Sequence, residues 1–159
     1  MKEPKNKYEC ILSLLEDSIL GSWRDIIVET LMRIPFDVLR KVWEQGLLDR
    51  IIIVGENDNA MAIDILWQCM SEHEVEMQRI EGYAKPVRII KPVKFRKWFI
   101  ILNESSLKKF DKETQMSIIA HEFAHVYLKH SRIGRDATSS LKNEEEANRL
   151  IKEWGFKKL

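Results

Sequence analysis

The sequence predicts an α+β fold: a small, mainly antiparallel sheet, extra helices at the N-terminal end, and one central helix. Three observations carry this expectation. Residues 1–46 place apolar side chains at helical spacing, and short β-branched or aromatic runs follow at Arg50–Val54 and Lys97–Leu102. Then Asp111–His130, DKETQMSIIAHEFAHVYLKH, carries Ile118, Ile119, Ala120, Phe123, Ala124, Val126, Tyr127 and Leu128, leaving little polar face. A helix that is apolar nearly all round belongs inside a fold. At 159 residues the chain is expected to form a single domain, 1–159, with a helical part at 1–46 and a core at 98–156.

Each element follows from its own signals. Ile11, Leu14, Leu15 and Ile19 recur at helical spacing from Tyr8 to Leu20, and Gly21 stops that helix. Ser22 with Asp25 reads as a capping pair for a second helix through Leu31. Pro35 suits the first position of a third, which Gly46 ends after Gln45. Arg50–Val54 reads as a short strand. Asp58–Met70 admits a helix, but its apolar run carries no clean period and its type stays open; Glu72–Glu81 reads as an exposed charged segment that includes His73. Pro86–Ile90 and Lys97–Leu102 read as two strands, the first confined by its prolines to an edge. Asp111 is the expected N-cap of the central helix, Ser131–Ser140 a polar linker, and Gly155 the stop of a last helix.

Composition narrows the function classes. The chain is 45% hydrophobic and 32% charged, with 26 basic against 25 acidic residues, a net charge of +1. So balanced a chain has no global attraction for nucleic acid or acidic lipid. The stretch Lys85, Arg88, Lys91, Lys94, Arg96, Lys97 reads as a solvated face, with a patch for acidic partners or nucleic acid as the alternative, though no nucleic-acid motif accompanies it. Cys10 and Cys69 match no metal or redox spacing and are expected as reduced thiols. The N-terminus is polar and no apolar run reaches bilayer length, so the expectation is a cytoplasmic protein without membrane contact.

Within the central helix stands His121-Glu122-Phe123-Ala124-His125, an H-E-x-x-H motif. Residues four apart project from one face, so His121 and His125 can grip one metal ion while Glu122, beside that face, serves as general base. Two histidines and a glutamate are costly to bury without partners, and a divalent cation supplies one. A catalytic Zn²⁺ takes three protein ligands and keeps one position open. His130 falls round the helix from the metal face and reads as a helix-end residue favoured by the dipole. His73 reads as surface. That leaves Glu144-Glu145-Glu146. Ala147, Leu150, Ile151 and Trp154 form the apolar stripe of the last helix, and Glu144 heads that stripe. Glu145 and Glu146 point progressively away and read as an acidic first turn. Glu144 is the expected third ligand, with Asn148 as a candidate partner for a ligand histidine.

The pattern His121-Glu122-x-x-His125 followed by Glu144-x-x-Ala147-Asn148 resembles the gluzincin arrangement. The local wording, Ile101-Leu102-Asn103, then IIAHEFAHVYLKH, then EEEAN, is similar to the ImmA/IrrE metallopeptidases and small gluzincins generally. This resemblance covers roughly residues 98–156. It implies a zincin-like fold and a zinc-dependent endopeptidase acting on protein or peptide substrates, with Zn²⁺ on His121, His125 and Glu144 and Glu122 as catalytic base. It also suggests that an extended substrate pairs with Lys97–Leu102. Peptide deformylases share the motif but need an upstream E-G-C cysteine, and Cys69 sits in Trp67-Gln68-Cys69-Met70. Two rivals remain: a regulatory protein that binds metal and a partner without turnover, and a latent enzyme whose own tail or linker fills the cleft. An oxyanion donor is not legible: Tyr127 lies off the metal face, and Tyr83, Arg132 and Arg135 have no fixed place.

Overall fold

The computed structural model describes residues 3–55, 61–80, 83–130 and 137–159, with side chains described at 3–55, 97–130 and 141–159. The first helix, α1 (Lys7–Leu14), starts at Asn6, whose side chain accepts the Glu9 N–H at 2.9 Å. It ends well before Leu20, because the chain leaves helical geometry to pair with a strand. Ser18 Oγ accepts the Ile51 N–H at 2.8 Å, Ile19 N–H donates to the Ile51 carbonyl, and Ile53 N–H donates to the Ile19 carbonyl. Sheet pairing thus overrides the local helical period. A single 3-10 turn (Gly21–Trp23) leads into α2 (Arg24–Arg33). The capping pair expected at Ser22 and Asp25 is not formed: Trp23 occupies the N-cap, and no side chain caps the helix. Helix α3 (Phe36–Glu44) has Pro35 at its N-cap, one place before the expected first position, and ends through Gln45 and Gly46 as expected.

The sheet departs from expectation. Strands β1 (Leu48–Val54), β2 (Met61–Ile80) and β3 (Tyr83–Asn103) lie in the order β1-β3-β2. β1 and β3 run parallel, Leu48 opposite Trp98 and Val54 opposite Asn103. The antiparallel expectation is therefore corrected for this pair. Alternation marks a strand but not its direction, and β1 and β3 are not consecutive in the chain, since β2 comes between them. Asp58–Met70 belongs largely to β2 rather than to a helix. The missed signal is period-two alternation: Met61, Ile63, Ile65, Trp67 and Cys69 are apolar at every second position. Pro86 and Pro92 sit within one continuous β3, not on a separate edge strand. Both lie outside Trp98–Asn103, the part paired with β1, so their missing N–H groups cost that ladder nothing. The backbone at 66–96, from the far parts of β2 and β3, forms a compact unit of its own. The side chains of His73, Cys69, Tyr83 and the basic positions 85–96 lie outside the described residues.

The remaining helices are α4 (Glu104–Leu107), α5 (Lys112–Tyr127) and α6 (Ala137–Glu153). Asp111 caps α5 as expected, accepting the Thr114 N–H at 2.9 Å. The last four residues of the expected linker are helical, since α6 begins at Ala137; residues 131–136, with Arg132 and Arg135, lie outside the described residues. α5 is the central helix, packed on α2, α3 and α6. Met116, Ile119, Ala120, Phe123, Ala124 and Val126 are buried against Trp98, Ile100 and Leu102 of β3 and Ala147, Ile151 and Trp154 of α6 in one core. Phe123 is fully buried, and each such side chain contributes roughly 1.5–3 kcal/mol relative to exposure. Cys10 is buried and free in the same core, and burial pushes its thiol pKa up. Arg33 ties the end of α6 to the bundle, donating to the Gly155 carbonyl at 2.8 Å and lying 4.5 Å over the Phe156 ring.

Candidate metal centre

The two histidines of the motif sit in the middle of α5, where the helix is most deeply covered. His121, Glu122 and His125 are all buried, at 7%, 5% and 3% exposure. One turn of helix separates the histidines, and their rings meet edge to face with centroids 4.6 Å apart. Their Nε2 atoms lie 3.1 Å from each other. α6 brings Glu144 across: Oε2 is 2.8 Å from His121 Nε2 and Oε1 is 3.1 Å from His125 Nε2. The stripe argument that selected Glu144 over its neighbours therefore agrees with the packing, since Ala147 and Ile151, on the same face, are fully buried.

This group of His121, His125 and Glu144, its ligand atoms within 4.8 Å of one another, can hold a metal ion. Tetrahedral bonds of about 2.0–2.1 Å place ligand atoms about 3.3 Å apart. The Nε2–Nε2 distance of 3.1 Å is close to that, so a cation fits with small side-chain adjustments. The donor set, two imidazole nitrogens and one carboxylate, suits a divalent ion such as Zn²⁺. Hydrogen bonds from His121 first and then His125 hold the Glu144 carboxyl well below the usual carboxylate range, against the opposing pull of burial. Those Nε2 hydrogens are the ones a cation would replace, the two imidazoles then presenting their lone pairs beside the carboxylate.

Two expectations about neighbours are corrected. Asn148 does not orient a ligand histidine: its Oδ1 and the Nδ1 of His121 are both buried without a hydrogen-bond partner among the described residues. His130 stands at the end of α5 as expected, but it is not turned away from the ligand face. It is 8% exposed, and its Nδ1 lies 2.8 Å from His125 Nδ1. The helical projection failed because α5 ends at Tyr127, so the wheel no longer applies at His130. Glu146, two turns inside α6 rather than in a first turn, faces His130 Nε2 at 3.5 Å. No local signal marks either residue, because the contact depends on how α5 terminates.

A cavity of about 250 Å³ opens beside the motif, walled by Leu107, Phe110 and Ile118 and bordered by Asn103, His121 and Glu122. It is smaller than a typical whole-ligand pocket and suits a single apolar side chain. Asn103, 1% exposed, spends its Oδ1 on the Ser106 N–H at the start of α4, while its Nδ2 has no partner among the described residues. Tyr127 is occupied elsewhere, against Trp154 and Lys41. β3 stands between β1 and β2 in the sheet order, and its Trp98–Asn103 is paired with β1. Among the described residues no helix is long and apolar enough to cross a membrane. Comparison with protein-family models, with curated proteins and with solved structures finds no match to this chain.

Proposed function

We propose that the chain is a zincin-like, gluzincin-type zinc endopeptidase that hydrolyses protein or peptide substrates in the cytoplasm. The observation that carries this reading is the convergence of His121, His125 and Glu144 with a buried Glu122 at the wall of an apolar cavity. A mixed nitrogen and oxygen set of this kind favours Zn²⁺. The bound ion would supply Lewis acidity, polarising a peptide carbonyl and acidifying water. Glu122 accepts a proton at its carboxylate and returns it to the leaving nitrogen, acting first as base and then as acid. Leu107, Phe110 and Ile118 take up one apolar side chain of the substrate and exclude water beside the base. Asn103 Nδ2, buried and unpaired among the described residues, is the candidate donor to a carbonyl oxygen.

The test is zinc analysis together with peptide cleavage by wild type and Glu122→Gln. One zinc per chain in both proteins is expected, with turnover falling roughly 10²–10⁴-fold in the variant. Cleavage at the wild-type rate by Glu122→Gln overturns the reading. A second reading, latency, is favoured by one observation: Leu159 also lines the cavity beside Glu122. On that reading Leu159→Asp raises turnover of an apolar-directed peptide, whereas an open cleft predicts no gain.

A further inference from the structure

The end of α5 is built to deliver a third histidine. Beyond Tyr127 the Lys129 N–H donates to the Val126 carbonyl and the His130 N–H to the His125 carbonyl, both at 3.0 Å. This pair of bonds is the helix-ending reversal whose pivotal residue is usually glycine. Here the pivot is Lys129, at φ 58°. Trp98 Nε1, from β3, donates to the His130 carbonyl at 3.0 Å and fixes the turn from the other side. The His130 ring is thereby set against His125, centroids 5.1 Å apart and planes at 63°, with the two Nδ1 atoms at 2.8 Å.

We propose that His130 is a positioning residue for the metal ligand His125, and that Glu146 fixes His130 in the required tautomer. This rests on the zinc reading above. A histidine that binds metal through Nε2 is neutral and carries its hydrogen on Nδ1, and that hydrogen needs an acceptor. Two ring nitrogens 2.8 Å apart share one hydrogen, so His130 Nδ1 must be the acceptor. His130 then carries its own hydrogen on Nε2, the atom that faces Glu146 Oε2 at 3.5 Å. The opposite assignment puts a hydrogen on His125 Nε2, where it blocks the lone pair that would bind the cation. The carboxylate, the two imidazoles and the metal position therefore form one directional chain across α5 and α6.

Zinc affinity, measured by competition with a chromogenic chelator on the full chain, tests this with wild type, His130→Ala, Glu146→Gln and the double variant. His130→Ala is expected to weaken zinc binding roughly 10–100-fold, and Glu146→Gln less. Glu146→Gln should cost nothing further once His130 is gone, because it acts through that ring. His130→Asn, whose amide oxygen can accept from His125, is expected to recover part of the loss. Nitrogen-15 NMR of the zinc-loaded wild type supplies a readout that survives if His130→Ala fails to fold: His125 with hydrogen on Nδ1, His130 with hydrogen on Nε2. The inference is overturned if His130 carries its hydrogen on Nδ1, if His130→Ala binds zinc within twofold of wild type, or if the Glu146 effect persists unchanged in the double variant. Wild type that binds no zinc overturns the zinc reading as well. A wild type that binds zinc with either contrary result overturns this inference only.

Discussion

Replacing Lys129 by glycine is expected to make the protein more stable, although Lys129 stands in the turn that places His130. Its φ of 58° is left-handed, where a Cβ crowds the following carbonyl at a cost of roughly 1–2 kcal/mol. Glycine removes that strain but brings an unfolded-state entropy penalty of about 0.5–1 kcal/mol. Taken at the middle of both ranges, the net gain is about 0.5–1 kcal/mol. For a chain of 159 residues, each kcal/mol moves the midpoint by roughly 2–4 °C, so Lys129→Gly should melt about 1–4 °C higher. Gly155 offers the reciprocal experiment. It ends α6 with the same bonding, Gly155 N–H to Lys152 and Phe156 N–H to Ile151, at φ 89°. A Cβ there meets nothing within 4 Å, so Gly155→Ala tests backbone strain without a packing clash and, with the same entropy term now in its favour, should destabilise by about 0.5–1 kcal/mol. Differential scanning calorimetry on the metal-free proteins reads both. Lys129→Gly melting below wild type would refute the left-handed turn, and with it the basis for placing His130.

The other expectations concern the site and the core. Glu144→Ala should lose zinc while Glu145→Ala keeps it, as read by metal analysis after dialysis; the reverse result would show that α6 is turned otherwise. Asp111→Ala should melt lower at neutral pH. The hydrogen bonds from Thr114 hold the Asp111 carboxyl below its ordinary 3.8, so its contribution is complete above that value and fades as pH falls through the lower folded value. The gap between wild type and Asp111→Ala should therefore narrow in acid, and a gap that widens there contradicts the cap. Phe123→Ala, emptying a fully buried position under the motif, should cost about 3–5 kcal/mol in urea unfolding.

What the sequence by itself determined is whatever depends on near neighbours in the chain. The i to i+4 spacing of His121 and His125, the cap at Asp111, and the apolar stripe that turns Glu144 toward α5 all follow from helical periodicity. So do α3 and the turn at Gly46. Tertiary structure alone decided the rest. β1 runs parallel to β3, a direction that no local pattern encodes. Pairing of Ile19 with Ile52 ended α1 early, and β2 formed across a run whose helix-forming residues masked its alternation. The same holds at the site. His130 is five residues from His125 in sequence, yet its contact depends on a left-handed lysine and on Trp98, which lies 32 residues from His130. Glu146 matters only because α6 lies across that turn. A helical wheel assumes that the helix continues; once the chain reverses, packing sets which groups meet, and packing is a property of the whole fold.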